Sequence, residues 1–251
     1  MDPRFILYSV VGMLLGVGLF IQGFRWLRKK RMIENIPTSK IRSIAMGLVE
    51  IFGEVVPQKS TLLKSPLRDK DCVYYKYTIE EHRSDGKNSR WVRIDRGEDA
   101  VPFLLKDATG SVLVDSRNAK VDLSKDYEFQ SGFGKDPPAT VQNFLWGHRM
   151  SHEGFLGLNK KMRYKEWIIE PRDNLYVMGT ADDNPNVPDA SKRQGVDDVM
   201  IHKGDNMYYI SDKKEADLLK NLRAKTWGGL VFGALLIIGS LAGIFLFIGV
   251  L

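Results

Sequence analysis

The sequence predicts an α+β, β-rich fold: a small barrel or sandwich of short antiparallel strands plus one or two helices, flanked by two transmembrane helices. Three features predict it. An uncharged apolar run stands at each end, the stretch between them alternates with period two, and short β-branched or aromatic runs there are separated by turn residues.

The first apolar run, 5–24, has no charge, and Ser9 and Gln22 are its clearly polar side chains. At about 1.5 Å per residue, twenty helical residues cover the roughly 30 Å hydrocarbon core. A cleaved signal peptide would need a basic start and a small-residue cleavage site. Arg4 is the lone basic residue ahead of the run and no A-x-A pattern follows it, so the run reads as a retained anchor. Residues 25–37 form a basic juxtamembrane segment. At the other end, 227–251 is wholly uncharged and reads as the second transmembrane helix.

The formal net charge of +6 is unevenly placed. Residues 25–31 carry +5 through Arg25, Arg28, Lys29, Lys30 and Arg31, and residues 213–251 carry +3, which leaves −2 for 32–212. A nucleic-acid footprint would put the excess on the domain, so no nucleic-acid partner is expected. Both clusters lie on the domain side of their helices. Lys and Arg beside transmembrane ends favour the cytoplasmic side, so the domain is expected there. The clusters, with Lys220, Arg223 and Lys225 in the second, are the candidate sites for anionic lipid headgroups.

Between the anchors, residues 38–211 read as the β-rich domain. The 41–56 stretch reads as one bent strand or two short ones, with Gly47 and Gly53 marking a bulge or a close backbone approach. Val73, Tyr75, Tyr77 and Ile79 alternate with Tyr74, Lys76, Thr78 and Glu80 as a half-buried strand. Hairpins are expected where 103–105 and 112–114 flank 107–110, where 167–169 and 175–177 flank 171–174, and where 199–201 and 207–210 flank 203–206. A helix is expected over 139–150, after Pro137 and Pro138, with Val141, Leu145 and His148 at helical spacing. Residues 181–198 read as an exposed loop.

Residues 212–226 read as an amphipathic juxtamembrane helix opened by a capping box, Asp212 with Glu215. It either continues into 227–251 as one rod of about forty residues or breaks near Gly228 and Gly229. Gly12 and Gly16, Gly229 and Gly233, and Gly239 and Gly243 are small-xxx-small pairs, which let the two helices, or neighbouring chains in a homo-oligomer, approach closely.

Chemistry-bearing patterns are sparse. His148 and His152 stand four apart beside Glu153, but there is no HExxH pattern, and Gly154 and Gly157 suggest that the helix has ended. The competing reading, an imidazole against the last helix carbonyls, is preferred, and neither a metal nor a cofactor is expected. Glu81 and His82, with His148, are the candidate catalytic groups of a membrane-bound enzyme, although a solvated strand end carries such residues as readily. No nucleophile elbow, P-loop or dinucleotide fingerprint is present. Cys72 is the one cysteine, which rules out an internal disulfide and a multi-cysteine zinc site within these residues.

An ordered set of segments carries a family resemblance: IRSIAMGLVEIFG at 41–53, Ser65 with Pro66, Cys72 with Tyr74 and Tyr75, RYKEWIIE at 163–170 and LYVMGTA at 175–181. Together they resemble the GIDE domain family, also called the "beside a membrane" (BAM) domain, over roughly residues 38–226. In its best-known relatives, mitochondrial ubiquitin ligases, the domain lies between two membrane helices and a zinc-binding RING that follows carries the ligase activity. This sequence ends at Leu251 with one cysteine. The resemblance therefore implies the anchored domain without the ligase. Taken with the charge placement, the chain reads as a membrane-anchored scaffold or sensor, expected to be prokaryotic, with anionic lipid and a membrane or cytoplasmic protein as partners. The alternatives are a membrane-bound enzyme or an accessory component of a ubiquitin-type transfer system.

Overall fold

The computed structural model describes residues 3–34, 39–58, 62–84, 86–154, 158–184, 198–205, 207–213 and 215–248. It divides into a helical unit formed by the two chain ends and a mixed unit, Thr38–Lys213.

In the helical unit, α1 (Pro3–Glu34) and α3 (Glu215–Phe247) are long unbroken helices. The 33 residues of α3 correspond to roughly 50 Å. The one-rod reading therefore holds across Gly228 and Gly229, which cost helix propensity but not continuity. Only 11% and 17% of their most apolar stretches are buried, so these are not core helices of a soluble fold, and both are long and apolar enough to cross a membrane. The helices run antiparallel with their backbones in contact. A Cβ on Gly16 would stand 3.0 Å from the Gly233 oxygen, and one on Gly233 would stand 2.8 Å from the Phe20 nitrogen. Gly229 meets Gly23 in the same way. Gly12 faces Ser240, and Gly243 is buried. Gly239 has open space around its Cβ position and so does not belong to this seam: it sits one residue, about 100° of helix, away from Ser240.

The mixed unit contains a closed five-stranded barrel. Its strands are β1 (Gly47–Pro57), β6 (Phe103–Lys106), β7 (Ser111–Val114), β12 (Val199–His202) and β11 (Asn174–Asp183), and the β1–β11 pairing closes the ring. Two short strands, β13 (Tyr209–Ser211) and β8 (Lys120–Asp122), continue from the free half of β11. Ile51, Val55, Phe103, Leu105, Val112, Val114, Val177 and Ile201 fill the interior. Strand β1 pairs with β11 over Gly47–Glu54 and with β6 over Glu54–Pro57, so the two ladders meet at Glu54.

A second, four-stranded antiparallel sheet has the order β5 (Ser89–Ala100), β4 (Tyr74–Ser84), β10 (Met162–Ile169), β9 (Tyr127–Ser131). Helix α2 (Ala139–Gly147) packs on one face of it, with Val141 and Leu145 against Tyr77, Ile79, Met162 and Tyr164. A small pair, β2 (Leu63–Lys64) and β3 (Asp71–Cys72), completes the unit. Cys72 is buried there, and burial pushes its thiol up to about 12.

Several expectations are corrected. Of the three hairpins, β6–β7 forms as read. Strands β10 and β11 do not pair with each other, because the intervening turn is bound to the barrel instead: Arg172 N–H donates to the Val55 oxygen and Val55 N–H to the Asp173 oxygen, each at 2.8 Å. Strands β12 and β13 both pair with β11, one after the other along the same edge. Not all pairings are antiparallel, since β7–β12 and β8–β13 are parallel. Residues Ile41–Ser43 form a 3₁₀ turn rather than strand, held because Asp107 and Thr109 of the β6–β7 turn accept the Ile41 and Arg42 N–H groups. Gly53 is the close approach: its Cβ position lies 2.5 Å from the Lys106 oxygen. Val73 leaves the face shared by Tyr75, Tyr77 and Ile79 and joins Tyr74 in the barrel core. Most of the expected 181–198 loop lies outside the described residues, although 181–183 belong to β11. Of the capping box, Lys214 lies outside them, and the Asp212 carboxylate accepts the Ser124 N–H.

Three carboxyl groups withdrawn from water to different degrees, with Glu166 buried, Asp173 half-buried and Asp126 more exposed, give the unit a pH signature. Burial pushes the Glu166 carboxyl up, although the Leu67 N–H and the Ser65 hydroxyl donate to it. Partial desolvation raises Asp126 and Asp173 in the same direction. A carboxyl raised in the folded state favours folding when protonated, so its cost is relieved as pH falls through the raised value. Asp115 and Glu128 are lowered by hydrogen bonds from Arg117 and Lys125 against the effect of burial. In Glu80 and Asp107 burial is the larger single effect, but their several donors outweigh it and lower both. The stability these four contribute is lost only below the ordinary carboxylate range, about 4. The melting temperature should therefore rise on acidification toward the ordinary carboxylate range and fall once the pH drops below about 4. A monotonic fall from pH 7.5 in differential scanning fluorimetry would contradict this assignment.

Candidate membrane-interface site

The cationic residues gather because α1 does not stop at the end of its uncharged run. The helix continues to Glu34, so Arg25, Arg28, Lys29, Lys30 and Arg31 are wound around about its last three turns. Arg25, Arg28 and Arg31 recur every third residue and line one cleft of about 490 Å³ with Ile21, Phe24 and Leu27. Lys30 turns to Glu34, 2.8 Å away. On α3, Lys220, Arg223 and Lys225 are exposed just before Trp227. Because the helices are antiparallel, with Gly16 opposite Ile237 and Gly23 opposite Leu230, both clusters fall at the same end of the pair. An aromatic ring beside exposed Lys and Arg where an apolar run begins is the usual composition of a bilayer interface.

The candidate catalytic residues are not assembled into a group. Glu81 accepts from Arg83 at 2.8 Å, and His82 packs edge-on against Trp91 with ring centroids 5.1 Å apart. His148 is the C-cap of α2. Its Nδ1 lies 2.9 Å from the Phe144 oxygen and its ring rests on the Phe144 ring. Arg149 then takes a left-handed φ of 55°, which ends the helix and separates His148 from His152. His152 Nε2 is 3.8 Å from Glu153. Among the described residues, no three His, Cys, Asp or Glu side chains are grouped as metal ligands.

One arrangement escaped the sequence reading. The face of the four-stranded sheet away from α2 carries an open groove of about 630 Å³ lined by Lys76, Thr78, Arg93, Arg96, Glu98 and Trp167, among others. Lys76 is 3.5 Å from Glu98, and Arg163 and Lys165 both reach Glu80, at 2.6 and 3.1 Å. Arg93 and Arg96 have no ion-pair partner among the described residues. The groove thus offers guanidinium donors to an anion within a domain segment whose own sum is acidic. Arg93, Arg96 and Glu98 were missed because β5 is charged along its whole length and half exposed on both faces, so it has no period-two apolar signal.

Two apolar helices at the chain ends, with a barrel-containing unit between them in sequence and cations gathered at one end of the helix pair, fit a membrane protein. The chain belongs to the GIDE family: the model of that family, described as E3 ubiquitin ligase, matches residues 74–245, more than half of the chain. The match runs from the first residue of β4 well into α3, so β4 to β13 and most of the C-terminal helix fall within it, while β1 to β3 precede it. No curated protein and no solved structure matches the chain.

Proposed function

We propose that the protein is a membrane-anchored scaffold or sensor whose domain is held at the cytoplasmic face of a bilayer by a basic collar on anionic headgroups, and which works by engaging another membrane or cytoplasmic protein. The observation that carries this reading is the gathering of Arg25, Arg28, Lys29, Lys30, Arg31, Lys220, Arg223 and Lys225 at one end of the helix pair. Each cation near an anionic surface contributes about 1 kcal/mol, fading within a Debye length of roughly 8 Å at physiological salt. The collar therefore sets how the domain sits, while the two apolar helices set whether the protein stays in the membrane.

The test is positional. A fluorophore on Asn88→Cys, at the exposed tip between β4 and β5, reports distance to an acceptor in the bilayer of an anionic nanodisc. Cys72 is buried with its thiol held protonated, so labelling is selective. Changing Arg28, Lys29, Lys30 and Arg31 together to Gln should raise the mean distance or the mobility of the domain, and high salt should do the same to the unaltered protein. No response to either sinks the lipid-binding part of the proposal.

The family description supports a second reading, an accessory component of a ubiquitin-type transfer system. With a single buried cysteine in these 251 residues, RING zinc ligands would have to come from elsewhere. The acid–base alternative gains nothing from the geometry, since Glu81, His82 and His148 are engaged separately on β4 and at the end of α2.

A further inference from the structure

We propose that the α1–α3 pair holds one anionic phospholipid in a discrete cleft at its collar end; this rests on the collar reading above and sharpens it from a diffuse surface to a stoichiometric site. The cleft, about 300 Å³, is lined by Leu27, Lys30, Arg223, Thr226, Trp227 and Leu230. The helix register that sets Gly16 opposite Ile237 and Gly23 opposite Leu230 also sets Lys30 level with Arg223 and Leu27 level with Thr226. Two cations thus face each other across a close-packed pair. Lys30 is neutralised by Glu34, but Arg223 has no carboxylate partner among the described residues. An anion bound in the cleft gives Arg223 the bidentate acceptor its guanidinium is built for.

A second observation points into the same cleft. Thr226 is 4% exposed and its hydroxyl has no hydrogen-bond partner among the described residues, a rare state for a buried polar group. A phosphate oxygen held by Arg223, in the same lining as Thr226, supplies the missing acceptor. The remaining lining suits an acyl chain. Leu27, Leu230 and the 66% exposed Trp227 lie on the side where the uncharged run of α3 begins, so the cleft is cationic at one end and apolar at the other. A free phosphate would leave the apolar half empty, whereas an anionic phospholipid fills both. Basic pockets between membrane helices recognise lipid headgroups by this combination.

Native mass spectrometry of the full chain, released from detergent after equilibration with dioleoyl phosphatidylglycerol or dioleoyl phosphatidylcholine, reads the site directly. One phosphatidylglycerol should be retained per chain, in preference to phosphatidylcholine, and inorganic phosphate should not displace it. Arg223→Gln should lower retention about tenfold, the size of one charge-assisted hydrogen bond. Thr226→Val, which keeps the side-chain volume and removes the hydroxyl, should lower it by a smaller factor. Arg25→Gln, a collar change outside the cleft, should cost far less retention than Arg223→Gln. Equal retention of the two lipids, or equal losses in Arg25→Gln and Arg223→Gln, would overturn the discrete site while leaving the collar standing. Failure of the nanodisc salt response would strike the collar itself.

Discussion

Gly53→Ala should destabilise the mixed unit by about 3 kcal/mol, and lower its melting temperature by roughly 6–12 °C. Within a strand, Gly to Ala is ordinarily mildly favourable, because the unfolded chain loses freedom. Here the sign is reversed by geometry. The new Cβ would stand 2.5 Å from the Lys106 oxygen and 2.9 Å from its carbonyl carbon, and both belong to the β6 backbone, which cannot turn away as a side chain could. Separating β1 from β6 strains the ladder from Glu54 to Pro57 against Phe103 to Lys106, and with it the closure of the barrel. Gly110→Ala is the control, since its Cβ would meet Ile41 Cγ2 at an ordinary 3.5 Å. Thermal denaturation of the full chain in detergent should separate the two variants clearly. Equal melting temperatures would mean that β1 and β6 do not approach as described.

Gly233→Leu should part the helices. The Gly233 Cβ position lies 2.8 Å from the Phe20 nitrogen and 2.9 Å from the Gly16 oxygen, so any side chain there pushes backbone from backbone. In lipid, no hydrophobic force compensates for lost packing, because the tails are as apolar as the seam. A disulfide reads the separation. Gly12 and Ser240 are matched, with the Gly12 Cβ position 4.0 Å from Ser240 Cβ, inside the range for an unstrained bridge. Gly12→Cys with Ser240→Cys should oxidise readily, and adding Gly233→Leu should slow the bridge by about tenfold, equivalent to about 1.4 kcal/mol of lost approach. Adding Gly239→Leu instead should not, since that position is open. If both leucine variants crosslink at the unaltered rate, α1 and α3 do not pack through this seam.

The fold was legible in the sequence where the signal is local and periodic. The apolar ends, the hairpin around 107–110, and the helix whose Val141 and Leu145 face the sheet follow from spacing alone. So does the role of Gly53, since a glycine inside a strand pattern marks a close approach. Barrel closure was not legible. It depends on β1 pairing with β11, more than a hundred residues away, and no local pattern says which of several apolar strands will meet. The two misplaced hairpins share that cause: turn residues at 171–174 and 203–206 signal a change of direction, but the partner is chosen by the barrel. Strand β5 was invisible for a different reason. As an edge strand rich in Arg, Asp and Glu it follows the rule that protects edges, and that rule removes the apolar alternation by which strands are read.

The candidate site divides in the same way. The collar cations adjoin one another in sequence and could be named without a structure. The cleft between Lys30 and Arg223 could not, because it exists only in the register of two helices whose ends lie nearly two hundred residues apart. Thr226, an ordinary helical threonine in the sequence, acquires meaning only when its burial and unmet hydroxyl are seen.

Membrane topology is the most direct test of the whole account, since the collar, the cleft and the scaffold role all require the domain and the cationic end of the helix pair to share the cytoplasmic side. The measurement is labelling of Asn88→Cys by a membrane-impermeant maleimide in intact and permeabilised cells, with buried Cys72 as the silent background. Labelling only after permeabilisation is the expected result. Efficient labelling of intact cells from outside would contradict the orientation and the proposed function built on it.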